Sequence, residues 1–185
     1  MGENKKWKVL ERTYLFNRPW LTARKDKVLL PTGAINDEYY ILEYPTWVNV
    51  IAISKEGKYI MVEQYRHGLE EVFTELVAGV VEKNETPLAG AKRELLEETG
   101  FGGGNWELLT VISANPGSFN NLAYCYLATD VEPVGEQHLD ETEDVTVKFL
   151  SESEVRRMLY DDEVKQALMA APLWKYFATR INNKF

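Results

Sequence analysis

The chain has 185 residues, 45% of them hydrophobic and 12% aromatic, which is enough to bury one substantial core of ordinary domain size. Its formal net charge is -8, and no block of lysine or arginine is long enough to follow a nucleic-acid backbone, so nonspecific nucleic-acid binding is disfavoured. Because no apolar run approaches the roughly 20 residues that span a bilayer, and the N-terminal segment lacks the apolar region of a secretory signal, we expect a cytoplasmic protein without a membrane partner.

The first part of the chain is rich in strand signals. Residues 1–46 contain three extended segments separated by turns: 7–16, 20–30 and 38–45. This pattern predicts a small β-rich arm over residues 1–46 and a separate, larger domain over residues 47–185.

The larger domain mixes strands and helices. Its strand candidates are 48–54, 59–66, 71–81, 106–114, 122–132 and 144–151. Strands and helices interleave without a regular βαβ alternation. The sequence therefore predicts an α/β domain with a mixed sheet and helices on its faces.

Three helices are predicted from their end signals. Thr86 is a good N-cap and Pro87 suits the first helical position, so a helix should run from 87 to 99 and stop at Gly100. Ser151 has the capping-box spacing to Glu154 and predicts a short second helix. Residues 163–182 are predicted to be helical with a break at Pro172.

The first of these helices, predicted over 87–99, carries three glutamates close together. Glu94 and Glu98 are four positions apart and share a face, and Glu97 lies beside them. Arg93 can pair with one of these acids, and Glu85 precedes the helix. The apolar residues predicted to seat the helix on the sheet are Leu88, Ala91 and Leu95.

One arginine cannot neutralise four carboxylates, and like charges at these spacings repel. A solvated acidic face is one interpretation. The other is that divalent cations fill the cluster, and oxygen ligands with an open coordination shell suit Mg²⁺ or Mn²⁺. Cys125 is the only cysteine, so an intrachain disulfide is impossible and a zinc site of cysteine and histidine ligands is disfavoured.

The spacing around the cluster favours the metal interpretation. Gly79 is followed after five residues by Glu85, after seven more by Arg93-Glu94-Leu95, and then by Glu97-Glu98 and Gly100-Phe101. So many fixed residue types would almost never recur at set spacing by chance.

This stretch, from Gly79 to Phe101, resembles the signature box of the Nudix hydrolase family. The resemblance implies the Nudix α/β/α sandwich and metal-dependent cleavage of a nucleoside diphosphate linked to another moiety. It also implies that Glu94 and Glu98 are the principal metal ligands. By the same resemblance Glu97 is a further ligand or supports the ligands, and Arg93 and Glu85 orient the catalytic group.

The flanking sequences narrow the resemblance. The segments EQYRHG and ELVAG upstream of the box, with a strand-rich arm before them, resemble the ADP-ribose and nucleotide-sugar pyrophosphatase branch. This implies a homodimer made through the arm, which also contributes to the substrate pocket. It further implies that the Ala78 carbonyl binds metal and that Arg66 contacts the diphosphate, although an ordinary surface arginine is the alternative for Arg66.

A second acidic cluster lies in the segment HLDETEDVTVKF. In the same branch a loop carboxylate at this place acts as general base, and another two residues on reaches a metal. Glu141 and Glu143 match these positions best, with Asp140 and Asp144 as alternatives. An ordinary acidic turn is the other interpretation.

The resemblance leaves three functions open. The first is Mg²⁺-dependent hydrolysis of ADP-ribose to AMP and ribose 5-phosphate. The second is the same chemistry on GDP-mannose, ADP-glucose or a dinucleotide such as NADH. The third is a non-catalytic sensor of a nucleotide sugar. Near Pro116, the segment ANPGSFNN has Asn120 and Asn121 where an acidic residue is often found in the branch, so the sugar moiety stays open.

Overall fold

The structure is a computed structural model that describes residues 5–182, and the chain divides into two compact units. Of the described residues, the first unit contains 5–45 together with 113–121, and the second contains 46–112 together with 122–182. Over residues 5–182, no helix has both the length and the apolar character needed to cross a bilayer.

The first unit is a three-stranded antiparallel sheet with the strand order β1-β2-β3. Its strands are β1 (Lys8–Arg18), β2 (Leu21–Leu29) and β3 (Ile35–Glu43). The distant loop 113–121 joins this sheet, because the Leu42 amide donates to the Ser118 carbonyl at 2.8 Å and the Tyr39 hydroxyl donates to the Gly117 carbonyl at 2.5 Å.

The second unit is built on an eight-stranded mixed sheet. The strands are β4 (Trp47–Ser54), β5 (Tyr59–Arg66), β6 (Glu71–Glu75), β7 (Val77–Val80), β8 (Phe101–Gly102), β9 (Asn105–Ile112), β10 (Ala123–Pro133) and β11 (Val145–Leu150). The pair β4 and β10 is parallel and the other pairs are antiparallel. This confirms the mixed sheet predicted from the sequence.

The central strand β4 changes neighbour halfway along its length. Residues 47–50 pair with β7, whereas only Ala52 and Ile53 pair with β5. Strands β5 and β7 therefore pair with different parts of the same edge of β4.

Helices cover both faces of the sheet. Alternate residues of β4 divide between two cores: Val48 and Val50 pack with helix α1 (Pro87–Thr99), whereas Ile51 packs with α2 (Glu152–Tyr160) and α3 (Ala167–Asn182). Because successive strand residues point to opposite faces, this alternation produces a helix-sheet-helix sandwich.

The structure confirms the predicted ends of α1. The Thr86 side chain accepts from the Ala89 amide at 3.2 Å, and Gly100 ends the helix with a φ of 74°. Ala91 and Leu95 are buried as predicted, but Leu88 is exposed. The buried face is instead completed by Glu94 and Glu98, which makes it unusually acidic.

The prediction for the C-terminal helix was wrong in two respects. Helix α3 begins at Ala167 rather than 163, and it continues through Pro172 without a break. Proline has no amide hydrogen to give to the carbonyl four residues earlier, which is that of Leu168. The side-chain amide of Asn49 donates to the Leu168 carbonyl at 2.8 Å and replaces the missing helical hydrogen bond.

Candidate metal and substrate site

Two carboxylates of α1 are buried against β7. Glu94 is 8% exposed and Glu98 is 5% exposed. A Cβ built on Gly79 would lie 2.1 Å from the Glu94 Cδ, so the side-chain carboxylate occupies the space that any other residue at position 79 would fill. The glycine is needed here for close approach, and not for a positive φ.

The Glu98 carboxylate lies in an unfavourable electrostatic environment. Burial and the neighbouring charge of Glu94 raise its pKa to about 8, while a backbone hydrogen bond at Ala78 and the charge of Arg66 act in the opposite direction. The Glu98 Oε2 atom is buried and has no hydrogen-bond partner among the described residues. Burial also raises the pKa of Glu94, although Arg93 offsets part of that rise.

Arg93 forms ion pairs with three carboxylates of the cluster. Its guanidinium lies 3.1 Å from Glu85 Oε1, 2.9 Å from Glu94 Oε1 and 2.8 Å from Glu97 Oε2. It also donates to the Val80 carbonyl at 2.9 Å. The hydrogen bonds from Arg93 lower the pKa of Glu85, so its carboxylate stays charged.

Arg66 is oriented by a residue that the sequence analysis missed. Glu75 is 5% exposed, and its Oε2 accepts from Arg66 Nε at 2.9 Å and from Arg66 Nη2 at 2.5 Å. The sequence does contain a signal for Glu75, which is a charged residue within a predicted strand shortly before Gly79. If such a residue is buried, it normally has a partner of opposite charge.

The loop before β11 carries the two predicted downstream carboxylates. The negative charge of Glu143 raises the pKa of both Glu94 and Glu98, which places Glu143 in their electrostatic environment. Its Oε2 also accepts from the Asp140 amide at 3.0 Å. Glu141 is exposed, and within residues 5–182 its side chain makes no hydrogen bond or ion pair to the cluster. Asp144 is exposed as well.

Gln137 ties the start of this loop to α1. Its Nε2 atom donates to the Glu98 carbonyl at 2.7 Å and to the Val145 carbonyl at 3.0 Å. The Gln137 side chain thus connects the end of α1 to the start of β11. These two hydrogen bonds hold both ends of the segment that contains Glu141 and Glu143.

A cavity of about 260 Å³ opens beside the cluster. Its wall is mostly apolar, with Arg66 at its polar side and Ala78, Gly79 and Val80 supplying a stretch of backbone. The remaining lining residues are Trp47, Val48, Asn49, Gln166, Leu168 and Met169. A mostly apolar pocket with a few convergent polar groups is typical of a small-molecule site.

The donor set fits a divalent metal ion. Glu94 and Glu98 offer buried carboxylate oxygens, one of them unpaired, and the Ala78 carbonyl lies on the strand that Glu94 contacts. All of these donors are oxygens, which Mg²⁺ and Mn²⁺ prefer. Over residues 5–182, no three acidic, histidine or cysteine side chains converge as a preformed metal group. Glu94 and Glu97 are instead paired with Arg93.

Comparisons with known proteins identify the family and the fold of this chain. A family model described as NUDIX domain matches residues 43–171, and a second, described as nucleoside diphosphate sugar hydrolase N-terminal domain, matches residues 7–42. The chain is 32% identical over 164 residues to the ADP-ribose pyrophosphatase of Bacillus subtilis, covering 88% of each chain. It is 32% identical over 151 residues to the ADP-ribose pyrophosphatase of Mycobacterium tuberculosis, covering 80% of this chain and 72% of the other.

Two further comparisons extend this result. The chain is 37% identical over 128 residues to the methanol dehydrogenase activator of Bacillus methanolicus, covering 69% of each chain. The crystal structure of an ADP compounds hydrolase superposes with a TM-score of 0.84 at 20% identity, covering 99% of this chain and 98% of that one. This likeness confirms the fold predicted from the sequence, a sandwich with a mixed sheet preceded by a β-rich segment.

Proposed function

The chain belongs to the Nudix hydrolase family, and from this premise we propose that it hydrolyses ADP-ribose to AMP and ribose 5-phosphate with Mg²⁺ as cofactor. The observation that carries the proposal is the pair of buried carboxylates, Glu94 and Glu98, packed on the Ala78-Gly79 strand. A buried carboxylate oxygen without a partner is costly unless a cation or a hydrogen-bond donor meets it.

Five oxygen-bearing groups are proposed as donors to the metal. Glu94, Glu98 and the Ala78 carbonyl would hold the metal, with Glu97 and Glu143 as further oxygen donors. A divalent cation there supplies Lewis-acid chemistry, because it neutralises charge on the diphosphate and makes a water molecule more acidic.

The remaining residues act on the substrate or on the ligands. Arg66 binds the diphosphate, and Glu75 holds the Arg66 guanidinium in place. Arg93 and Glu85 position the Glu94 and Glu97 carboxylates. Glu141, which is exposed in the loop before β11, is the general base that removes the proton from the attacking water.

The choice of ADP-ribose rests on the relatives. Two of them named ADP-ribose pyrophosphatase share 32% identity with most of this chain. The N-terminal match to a nucleoside diphosphate sugar hydrolase domain covers residues 7–42, which supports the division into an arm over 1–46 and a catalytic domain over 47–185. A cytoplasmic location remains a prediction of the sequence.

We also propose that the arm forms a homodimer. Strand β1 is exposed along all eleven of its residues, and the large apolar side chains exposed in the first unit support association with a second copy. These residues include Trp7, Val9, Leu10, Tyr14, Leu15, Phe16 and Trp20. Sizing and scattering at micromolar concentration should report a dimer, and a monodisperse monomer would count against this assembly.

The proposed reaction is tested by a substrate panel. Purified protein with Mg²⁺ is incubated with ADP-ribose, ADP-glucose, GDP-mannose, NADH and a diadenosine phosphate, beside a Glu98→Gln control. We expect selective AMP release from ADP-ribose that the control lacks. Turnover of another compound in preference would reassign the substrate, and tight binding without any turnover would favour a sensor.

A second candidate function is regulation of a dehydrogenase. It is favoured by the 37% identity to the methanol dehydrogenase activator, which is higher than the 32% shared with the two pyrophosphatases. Adding the protein, with and without Mg²⁺, to a methanol dehydrogenase assay tests this candidate. A rise in dehydrogenase rate that Glu98→Gln does not produce would support it.

A further inference from the structure

The last turn of α1 is capped by residues from outside the helix. The final carbonyl groups of a helix have no donor within the helix itself. Here the Glu97 carbonyl accepts from the His138 amide at 2.8 Å, and the Glu98 carbonyl accepts from Gln137 Nε2 at 2.7 Å. The backbone of two acidic residues of the proposed metal site is therefore held by the segment that leads into the loop before β11.

The side-chain amide of Gln137 bonds a second carbonyl at the far end of that loop. Nε2 also donates to the carbonyl of Val145, the first residue of β11, at 3.0 Å. The carbonyls of Glu98 and Val145 can only accept, so the amide nitrogen and not the oxygen faces them. Because a primary amide has two N–H groups, this one side chain can bond both carbonyls at once.

The loop between these points, residues 139–144, is closed on itself. The Asp140 amide donates to Glu143 Oε2 at 3.0 Å, and the Glu143 amide donates to the Asp140 carbonyl at 2.9 Å. Glu141 lies between these two residues. Since the turn is braced internally, the place of Glu141 relative to α1 depends on how the two ends of the loop are held.

We propose that Gln137 is a positioning residue, whose amide holds the loop that carries Glu141 at a fixed place relative to the backbone of Glu98. This inference rests on the proposed function, in which Glu141 is the general base and Glu98 is a metal ligand. A shift of about 1 Å in a catalytic group can lower a rate about 100-fold. Loss of the two hydrogen bonds from Gln137 should therefore act on the reaction through Glu141.

Packing of Leu139 offers a competing explanation for the placement of the loop. Leu139 is partly buried against the core that contains Ala91 and Leu95 of α1. On this view Leu139 holds the start of the loop, the pairing of β11 with β5 holds its end, and Gln137 contributes nothing. The two explanations give different results when Gln137 alone loses its donor.

The test is a double-mutant cycle on AMP release from ADP-ribose at saturating Mg²⁺. The proteins are wild type, Gln137→Met, Glu141→Gln and the variant that carries both changes. Methionine keeps the length of glutamine but has no N–H group to donate. If Gln137→Met does not fold, Gln137→Glu replaces it, because a carboxylate cannot donate to these carbonyls either.

Glu136→Met is the matched control. It introduces the same side chain one residue earlier, where within residues 5–182 the native side chain makes no hydrogen bond or ion pair. Glu136→Met should have the kcat of wild type. A loss there equal to that in Gln137→Met would overturn the inference, because the donor of Gln137 would not be its cause.

We expect Gln137→Met to lower kcat about tenfold or more with KM nearly unchanged. In the Glu141→Gln background the same substitution should change kcat less than about twofold, because the group that Gln137 positions is already absent. Equal factors in the two backgrounds would overturn the inference, since a general structural defect acts equally in both. A kcat of Gln137→Met equal to that of wild type would overturn it as well.

Hydrogen exchange provides a second measurement that needs no turnover. Gln137→Met should speed amide exchange in residues 139–144 and in the last turn of α1, and leave the rest of the sheet unchanged. Unchanged exchange in that loop would overturn the inference. The proposed function fails by a different result, which is the absence of AMP release by wild type, and the exchange comparison then still tests whether Gln137 holds the loop.

Discussion

The carboxylate of Glu94 occupies the position where a side chain on Gly79 would begin. A Cβ at residue 79 would lie 2.1 Å from both Cδ and Oε1 of Glu94. Since real Cβ atoms do not approach other atoms so closely, strand β7 and helix α1 can meet in this way only if residue 79 is glycine.

Gly79→Ala should therefore displace the Glu94 carboxylate and weaken the metal site. We expect kcat/KM to fall at least about 100-fold, since a shift of about 1 Å in a catalytic group has that effect. Gly135→Ala is the matched control, because its Cβ would meet only Leu96 Cδ1 at an ordinary 3.5 Å. Equal activity in the two variants would show that Glu94 does not depend on this close approach.

The buried Glu98 predicts an unusual pH dependence of stability. Its pKa in the folded protein is raised to about 8 from an ordinary value of 4.5. The stability that this group contributes is full below the lower value and is lost as the pH rises through the higher one. Between them the free energy of unfolding should fall by at most about 1.4 kcal/mol per pH unit through this group.

Urea unfolding in EDTA at several pH values measures this effect. The stability of wild type relative to Glu98→Gln should decrease as the pH rises toward 8, because the variant cannot ionise. Added Mg²⁺ should restore wild type at high pH and leave the variant unchanged. Parallel pH profiles for the two proteins would contradict the burial of an uncompensated carboxylate.

The buried Glu75 predicts a defect in substrate binding. Glu75→Gln keeps the size of the side chain but removes the charge that holds the Arg66 guanidinium. We expect KM to rise about tenfold with kcat nearly unchanged, because Arg66 must then be ordered by the substrate. Glu63→Gln, which breaks the half-exposed pair with Lys148, is the control and should leave KM unchanged. A matching change in both variants would indicate a general charge effect.

The two loop glutamates should differ in their response to metal. Glu143→Gln should raise the Mg²⁺ concentration needed for half-maximal rate, because Glu143 shares the electrostatic environment of Glu94 and Glu98. Glu141→Gln should lower kcat by about 100-fold or more at every Mg²⁺ concentration, as expected for loss of a general base. Metal titrations of the rate distinguish the two, and an exchange of these phenotypes would exchange the proposed roles.

The sequence identified the parts of the site that are close together along the chain. The caps at Thr86 and Gly100 and the spacing of Glu94, Glu97 and Glu98 are local signals, and the structure reproduces the helix that they define. The sequence analysis did not identify Asn49, although this buried residue lines the cavity. The partner that orients it, Leu168, lies 119 residues away, and such pairs depend on the tertiary fold.

The two asparagines after Pro116 illustrate the same limit. The sequence linked this loop to substrate recognition, but Asn120 Oδ1 accepts from the Tyr44 amide at 3.0 Å and Asn121 Nδ2 donates to the Pro45 carbonyl at 2.8 Å. These contacts anchor the loop to the end of the N-terminal sheet. The break predicted at Pro172 does not occur, because Asn49 supplies the hydrogen-bond donor that the proline lacks. The local sequence around Pro172 does not reveal that donor.

Binding of Mn²⁺ is the measurement that most directly tests whether the buried glutamates hold a divalent cation. The loss of the free Mn²⁺ electron paramagnetic resonance signal is followed as wild type or Glu98→Gln is added. We expect wild type to bind the ion and Glu98→Gln to bind it at least about tenfold more weakly. Equal binding by both proteins, or no binding by wild type, would contradict the account of Glu94 and Glu98 as metal ligands.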